Sequence, residues 1–336
     1  MHSKGKPLAS LSLDLDNQWS YMKTHGNPAW EAYPSYLDVI VPRALGFFAE
    51  RGLKITFFIV GTDADRPENA AALASITAAG HEVGNHSYRH EPWLHLYTDA
   101  EIEAEIARAE EAIARVTGQR PAGFRGPGFS LSEPVLATLQ RRGYRYDAST
   151  FPTFLGPLAR AYYFFTAKLS AEEREQRKAL FGGMREGLRP LRPYRWQLGG
   201  GPLLEVPVTT MPLFRVPFHV SYLIYLAGFS PMLARTYFAL ALSLCRLTGI
   251  QPSLLLHPLD FLGADDELEP LKFFPGMNIP AATKLGWMDD FLGAYARRFT
   301  VLAMGAHVDA LNAGAKLREI APEFTRTAVA VPAQTG

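Results

Sequence analysis

The sequence predicts an α/β fold, a distorted (β/α)7-type barrel with a mainly helical insertion. Three observations lead to this prediction. Apolar extended runs alternate with helical patterns, acidic or histidine residues follow the ends of several of those runs, and a basic, aromatic-rich block interrupts the alternation. With 336 residues, 48% of them hydrophobic and 20% charged, the chain is long enough for one large domain. We expect a single domain over residues 1–321, an insertion over 152–250 and a loose tail over 322–336.

The predicted elements follow one another from the N-terminus. "LASLSLDL" is a strand in which Leu11, Leu13 and Leu15 share one face, "YLDVIVPRALGFFAERG" has the spacing of a helix, "KITFFIVG" is a buried strand, and "PENAAALASITAAG" is a second helix. "HEVGNHS" is a third strand. Thr98 with Glu101, and Ser130 with Glu133, have capping-box spacing ahead of the next two helices. "PAGFRGPGF", "YRYDAST", "PSLLLHPLDF" and "FTVLAMG" supply further strands, giving about seven β/α units.

The block at 152–250 differs from the rest of the chain in charge. It contains 12 Lys and Arg against 5 Asp and Glu, whereas the whole chain has a formal net charge of +1. Only "GPLLEVPVTTMP" within it indicates a strand, which would return to the barrel. A basic run in this block either meets anionic headgroups and the phosphates of a lipid-linked sugar, or forms a solvated face with nearby acids. The residues concerned are Arg185, Arg189, Arg192 and Arg195, with Glu172, Glu173 and Glu175.

The same block contains one long apolar stretch, "VSYLIYLAGFSPMLARTYFALALSLCRL". Pro231 and Arg235 interrupt it, so we do not expect a simple transmembrane span. Two alternatives stay open. The stretch is either a helical hairpin in a membrane interface, making a peripheral contact with anionic lipid through residues 183–247, or a pair of helices that pack on the barrel as core.

The overall composition excludes some classes of function. A net charge near zero gives no general basis for nucleic-acid binding. No apolar segment precedes the first strand, so we expect no signal peptide and a cytoplasmic protein, at most peripheral on the inner face of a membrane. The single cysteine, Cys245, cannot form an internal disulfide, and its apolar neighbours predict a buried thiol.

Two acids and two histidines form the strongest candidate site. "NHSYRH" places His86 and His90 four residues apart, which on the first turn of a helix puts both rings on one side. In "LDLDN", Asp14 and Asp16 share one strand face at the end of an apolar run. Two histidines and one carboxylate can hold a catalytic divalent ion and leave the second carboxylate free as a base. This set predicts a metal-dependent hydrolase that acts on an amide or an ester.

Two further residues are candidates on their own chemistry. Arg125 lies in a turn bounded by Gly and Pro, "FRGPGF", and could hold a carboxylate. His257 ends the run "SLLL" as the acids end theirs, so it would reach the same rim of a barrel. Asp260 either orients His257 or begins the next loop. The remaining histidines are expected at the surface: His2, His25, His81, His95, His219 and His307.

Five segments, "LDLDN", "HSYRH", "FRGPGFS", "YDAST" and "LLLHP", resemble in this order the motifs of the polysaccharide deacetylase family, the NodB-like carbohydrate esterases. The resemblance covers about residues 8–150 and 202–305. It implies a NodB-type barrel and one divalent metal ion, Zn²⁺ first, with Co²⁺, Ni²⁺ or Mn²⁺ as alternatives. It also implies removal of an N-acetyl, or a formyl, group from an amino sugar in a glycan or glycolipid.

The first two family motifs map onto four residues of this chain. The general base of the family corresponds to Asp14. Its metal ligands correspond to Asp16, His86 and His90. Leu15 separates the two acids, whereas most family members have them adjacent; the spaced form is familiar in divergent branches that act on lipid-linked sugars or cyclic imides.

The later motifs supply the remaining implied roles. Arg125 matches the arginine that holds the base, Asp147 the acid of the network around that arginine and the histidine, and His257 the general acid that protonates the leaving amine. Gly128 intervenes before Phe129 in the third motif, which leaves open which backbone N–H contacts the oxyanion. A cyclic-amide hydrolase and a catalytically idle glycan- or lipid-binding protein are the alternative functions.

Overall fold

The computed structural model describes residues 5–155, 186–314 and 316–324. Several sequence predictions fall outside these residues. They concern His2, residues 156–185 of the insertion, which include Arg185 of the basic run and the three glutamates expected beside it, and residues 325–336 of the tail.

The described residues form strands and helices in alternation over most of their length. The strands are β1 (Leu8–Leu15), β2 (Thr56–Ile59), β3 (Glu82–Asn85), β4 (Gly123–Phe124), β5 (Tyr146–Asp147), β6 (Tyr194–Trp196), β7 (Leu203–Glu205), β8 (Ser253–Leu256), β9 (Thr300–Leu302) and β10 (Glu319–Ile320). The helices are α1 (Gln18–His25), α2 (Leu37–Ala49), α3 (Gly61–Ala64), α4 (Ala70–Ala78), α5 (Asp99–Thr117), α6 (Glu133–Arg141), α7 (Val220–Phe229), α8 (Pro231–Thr248), α9 (Pro258–Phe261), α10 (Ala281–Arg298) and α11 (Met304–Gly314).

One curved sheet organises the fold. Its order is β10-β6-β7-β5-β4-β3-β2-β1-β8, with β9 also paired to β1, and every pair is parallel except β6 with β7. Beyond β7, the chain reaches the outer edge of β8. There the Thr209 N–H donates to the Ser253 carbonyl at 3.1 Å, and the Ser253 N–H donates to the Thr209 hydroxyl at 2.8 Å. The segment after β7 therefore joins the edge strand β8 through individual hydrogen bonds and not through a regular strand ladder. The predicted α/β fold is confirmed.

The central strand β1 shows why the chemistry collects at one rim. Leu11, Leu13 and Leu15 belong to the main apolar core, while Ser12 and Asp14, on the other face, are also buried. Since all neighbours of β1 are parallel to it, their carboxyl ends lie at the same end of the sheet. His86 follows β3, Arg125 follows β4 and His257 follows β8 at that end.

The block at 152–250 contributes more to the sheet than its composition indicated. The predicted strand is present as β7 and pairs with β5, through Leu204 and Tyr146. A second strand, β6, was not predicted and lies antiparallel to β7. The helices α7 and α8 pack one face into the main core, with Leu223 and Phe238 fully buried, and expose apolar side chains on the other face. In the described part of the chain, no helix combines the length and apolarity needed to cross a membrane.

Several local predictions are corrected by the structure. The segment that carries the two motif histidines is an irregular loop and not the first turn of a helix, and both Ser87 and His90 have positive φ. The cap of α6 is Ser132 rather than Ser130. The capping box of Thr98 at the start of α5 is confirmed.

The surface expectation for the remaining histidines is wrong at three positions, and the buried thiol is confirmed. His81 and His307 are buried because each ring has a polar partner, the Ile55 N–H at 3.2 Å and the Gln251 side chain at 2.7 Å respectively. His219 is also buried, close to the candidate site. Cys245 has no exposed surface, and burial raises its pKa to about 12.

Candidate active site

The two acids of the first motif have different partners. Asp14 accepts a hydrogen bond from Nη1 of Arg125 at 2.6 Å, and both side chains are buried. Asp16, two residues later, faces two imidazoles instead. The strand period predicted that the acids share a face, and their separate partners give them separate chemistry.

Arg125 is fully buried and its hydrogen bonds fix its position. Nη1 also donates to the Ser12 hydroxyl at 2.8 Å, and Nε donates to the Ala148 carbonyl at 3.0 Å. The guanidinium lies 4.4 Å from the centre of the Phe58 ring. A buried ion pair is tolerated when further hydrogen bonds satisfy its polar atoms, so these contacts hold the Asp14 carboxylate in one orientation.

Asp16, His86 and His90 form a compact three-residue cluster. Oδ1 of Asp16 lies 3.0 Å from Nε2 of His90 and 3.4 Å from Nε2 of His86. This oxygen is buried and has no partner of hydrogen-bond geometry among the described residues. Burial raises the pKa of Asp16, but the neighbouring imidazoles outweigh burial and hold it well below its usual range. One carboxylate oxygen and two ring nitrogens, within 4.8 Å of one another, fit a divalent ion.

A backbone contact sets which nitrogen of His86 faces the cluster. Nδ1 of His86 lies 2.6 Å from the carbonyl of Arg125. Because a carbonyl only accepts, Nδ1 carries the hydrogen and Nε2 is left as a lone-pair donor. Arg125 therefore holds Asp14 through its side chain and orients the His86 ring, which faces Asp16, through its backbone carbonyl.

Polar groups outside the cluster hold the loop that carries His90. The carboxylate of Glu105, on α5, accepts the N–H of Tyr88 at 3.1 Å and the N–H of Arg89 at 2.9 Å. The Asn85 side chain accepts the N–H of Ser87 at 2.8 Å. These contacts stabilise the positive φ values of the loop, and the sequence analysis did not identify Glu105.

The third motif forms a tight turn over Pro127–Phe129. A Cβ on Gly126 would lie 2.0 Å from the Ser130 carbonyl oxygen, and Gly128 has a φ of +57°. Phe129 also has positive φ, which is costly for an aromatic residue. The N–H of Phe129 donates to the Gly126 carbonyl at 2.9 Å, so that group is already engaged within the turn.

His257 is half-buried at the end of β8. Asp260 accepts the backbone N–H of His257 at 2.8 Å, so it holds the main chain of the histidine rather than its ring. The ring nitrogen Nδ1 lies 3.1 Å from the hydroxyl of Ser221, on α7. The described contacts of Asp260 do not include the His257 ring, so Asp260 does not orient that ring directly.

An aromatic series connects the third motif to His257. The Phe129 and Phe151 rings stack at 4.7 Å, Phe151 lies 5.9 Å from His219, and His219 lies 5.6 Å from His257. The Nδ1 atom of His219 is buried without a partner among the described residues. Burial lowers the pKa of His219 well below its usual value, so the ring is neutral. His219 is a site residue that the sequence analysis missed.

Tyr21, on α1, is a second missed residue. Its hydroxyl is buried and has no hydrogen-bond partner among the described residues. Burial first, and then the charges of Asp16, Asp260 and Asp14, raise its pKa. The hydroxyl therefore lies within electrostatic range of both the first-motif acids and the acid beside His257.

Asp147 is fully buried, and the described hydrogen bonds of Arg125 do not include it. Its carboxylate accepts the Ser149 hydroxyl at 2.6 Å, and the Ser149 hydroxyl in turn accepts the N–H of Gly126 at 2.8 Å. Its register partner across β5 and β7 is Glu205, a second fully buried acid. Asp147 thus supports the backbone of the third motif, and its catalytic role stays a prediction.

Replacement of Asp147 with asparagine is expected to reduce a pH dependence of stability. Burial is the main reason that the pKa values of Asp147 and Glu205 are raised. An acid with a raised pKa in the fold stabilises at low pH, and this contribution is lost as the pH rises through that pKa. Wild-type stability should fall with rising pH by up to about 1.4 kcal/mol per unit for each of the two acids, and the variant should show the smaller fall that is due to Glu205 alone. Urea midpoints between about pH 5 and about pH 8 test this; equal slopes in both proteins contradict it.

Comparison with known proteins agrees with this geometry. The family model described as polysaccharide deacetylase matches residues 31–146, a range that includes His86, His90 and Arg125. Over this third of its length, the chain is similar to the polysaccharide deacetylase family. The first-motif acids and His257 lie outside the matched range, so their assignment rests on the geometry above.

Individual polysaccharide deacetylases match parts of the chain. A peptidoglycan deacetylase of Helicobacter pylori is 28% identical over 204 residues, 57% of this chain and 66% of the relative. A chitooligosaccharide deacetylase of Sinorhizobium fredii is 30% identical over 135 residues, 38% of this chain and 61% of the relative. The chain therefore spans less than two thirds of these relatives.

The fold extends further than these sequence matches. A crystal structure from Mycobacterium smegmatis, assigned provisionally as a polysaccharide deacetylase, covers 98% of this chain and 97% of its own, with a TM-score of 0.63 and 20% identity. At that identity the likeness concerns the fold alone.

Proposed function

We propose that this chain is a metal-dependent N-deacetylase of amino-sugar glycans. One observation carries the proposal: Asp14 is bound to Arg125, while Asp16 faces the two imidazoles. A hydrolase of this type needs a carboxylate free to act as a base beside a separate ligand set. The different partners of Asp14 and Asp16 meet these two requirements.

Asp16, His86 and His90 would hold the divalent ion. Their mixed nitrogen and oxygen donors favour Zn²⁺, with Co²⁺, Ni²⁺ and Mn²⁺ as alternatives. When bound, such an ion supplies Lewis-acid activation of a water molecule and of the amide carbonyl.

The remaining residues handle protons and orientation. Asp14 accepts a proton from the attacking water, and Arg125 keeps its carboxylate aligned. The turn at Gly128 offers a backbone N–H to the developing oxyanion, since the N–H of Phe129 is engaged with Gly126. His257 donates a proton to the departing amine, and the Tyr21 hydroxyl is available to a polar group of the substrate.

Release of acetate and formate tests the reaction and its substrate. The zinc-loaded protein is assayed on soluble N-acetylated oligosaccharides, on detergent-dispersed lipid-linked amino sugars and on small cyclic imides. Acetate or formate from either sugar class supports deacylation. Ring opening of the imides alone would favour the cyclic-amide hydrolase, and no turnover together with no metal binding would favour a binding protein.

The α7–α8 hairpin supports a lipid-linked substrate and peripheral contact with membrane. The turn between the two helices exposes Phe229, Met232 and Leu233, with 72%, 75% and 51% of their surface accessible. Tyr225, on α7 like Phe229, is 49% exposed. Clusters of exposed apolar and aromatic side chains of this kind are typical of interfacial helices. Ser221, at the other end of α7, contacts His257, so the exposed turn lies about 12 Å from the site by the helix rise.

The predicted basic contribution to this surface has other contacts in the described residues. Arg189 lies over the Trp196 ring, Arg192 donates to the Thr248 carbonyl, and Arg195 donates to Asn312. The proposed membrane contact therefore rests on the apolar turn of the hairpin.

A double substitution, Phe229→Asp with Met232→Asp, is expected to abolish flotation with vesicles that contain phosphatidylglycerol, because charged side chains oppose insertion of the turn. Acetate release from soluble sugars should be unchanged. Leu247→Asp is the matched control, since Leu247 is 82% exposed on α8 but far from the turn. Wild-type protein that fails to float, or a double variant that floats equally well, would contradict the membrane contact.

A further inference from the structure

Ser221 connects the inserted hairpin to the histidine at the end of β8. Its hydroxyl lies 3.1 Å from Nδ1 of His257, and the serine is close enough to Asp260 to lower the pKa of that carboxyl, against the larger effect of burial, which raises it. The serine is on α7, whereas His257 and Asp260 flank the end of β8. The orientation of the ring thus depends on a residue of the 152–250 block that none of the five family motifs includes.

Asp260, the acid next to Ser221, is held in place by its own contacts. Asp260 is 2% exposed and accepts the backbone N–H of His257 at 2.8 Å. Lys284, 1% exposed, donates to the Leu259 carbonyl at 2.7 Å and lies near Asp260. Burial lowers the pKa of Lys284 to about 8, so it remains positive at neutral pH and compensates the negative charge of Asp260.

The hydrogen-bond directions follow from these partners. A nearby carboxylate attracts the hydrogen of a hydroxyl, so with the Ser221 O–H turned toward Asp260, the Ser221 oxygen is left to accept from Nδ1–H of His257. Nε2 is then the ring position open to the site. The neutral ring of His219 lies 5.6 Å from the His257 ring between centroids, and the described hydrogen-bond partner of His257 Nδ1 is Ser221.

We propose that Ser221 is a positioning residue, which with Asp260 fixes the ring of His257 so that Nε2 donates its proton to the leaving amine. This inference rests on the proposed deacetylase function. As the C–N bond of the tetrahedral adduct breaks, its electron pair goes to nitrogen, which takes the Nε2 proton. The Nδ1 hydrogen stays on the ring, and the Ser221–Asp260 pair stabilises the charged form before the transfer.

The dependence of rate on the leaving group tests this role. An amine leaves only when it is protonated, whereas 4-nitrophenolate leaves unprotonated. Ser221→Ala should therefore lower kcat on an N-acetylated chitooligosaccharide by on the order of 10-fold or more. It should leave KM on that sugar and kcat on 4-nitrophenyl acetate nearly unchanged. Ser221→Thr, which retains the hydroxyl, should restore most of the amide rate.

Ser243→Ala is the matched control, because Ser243 lies on α8 and its hydroxyl bonds only within that helix, to Ala239. Equal losses on the amide and the ester in Ser221→Ala would indicate a structural role and overturn the proposal. An unchanged amide rate in Ser221→Ala would overturn it while leaving the proposed function in place. Wild-type protein that cleaves the ester but no N-acetyl sugar would overturn both.

Discussion

Asp14→Asn is expected to lower turnover by about 10²- to 10⁴-fold, the usual contribution of a general base. The amide oxygen can still accept from Arg125, so the buried side chains keep their packing, but the group can no longer take a proton. Zinc affinity should stay within a few-fold of wild type, because Asp14 is not part of the Asp16–His86–His90 cluster. Acetate release and zinc binding by equilibrium dialysis check the two parts separately.

Asp309→Asn is the matched control for this variant. It makes the same chemical change in another ion pair, the one between Asp309 and Arg145. The Asp309 side chain is 67% exposed there. Full activity is expected there. Normal turnover by Asp14→Asn would remove Asp14 from its role, and loss of zinc in that variant would mean that both acids are needed for the metal.

His90→Ala is expected to lose the metal and the activity together. It removes one of three ligands, and since loss of even a supporting partner of a ligand costs about 10- to 100-fold in metal affinity, the loss here should exceed about 100-fold. Zinc affinity by competition with a chromogenic chelator provides the measurement. Circular dichroism shows whether the variant is folded.

His25→Ala is the control for histidine loss, because His25 stacks on Phe273 at the end of α1 and is not part of the cluster. It should bind zinc as wild type does. A folded His90→Ala protein with wild-type zinc affinity would contradict the assignment of the cluster.

The strand ends could be predicted because their signals are local. The period of two in "LASLSLDL" places Asp14 on the face opposite Leu11, Leu13 and Leu15, and the apolar run "SLLL" ends at His257. Parallel strands then bring those ends together at one rim, which needs only the alternation of strands and helices. The resemblance to the family motifs supplied the expected catalytic or metal-binding role of each of these residues.

The loop of His90 could not be predicted from its own residues. Spacing of four suggested a helix, but Glu105 on a later helix holds the N–H groups of Tyr88 and Arg89 and stabilises an irregular path instead. Contacts between segments distant in sequence override local periodicity in such cases.

The contributions of the inserted block were missed for a related reason. His219 and Ser221 stand at the start of an apolar helix with no flanking motif, and only the packing of α7 against β8 brings them to His257. The buried pair of Asp147 with Glu205 depends likewise on the register of β5 and β7. The one available signal was a histidine and a serine at the beginning of the run "VSYLIYL".

The central claim is that the Asp16–His86–His90 cluster supports hydrolysis of an N-acetyl amino sugar. The most direct test measures acetate release from N-acetylated oligosaccharides and lipid-linked amino sugars by the full chain, before and after chelation and then during titration with zinc. We predict that activity disappears on chelation and returns to a plateau at one zinc per chain. A rate that is insensitive to chelation, or no acetate from any N-acetylated sugar at full zinc loading, would contradict the account.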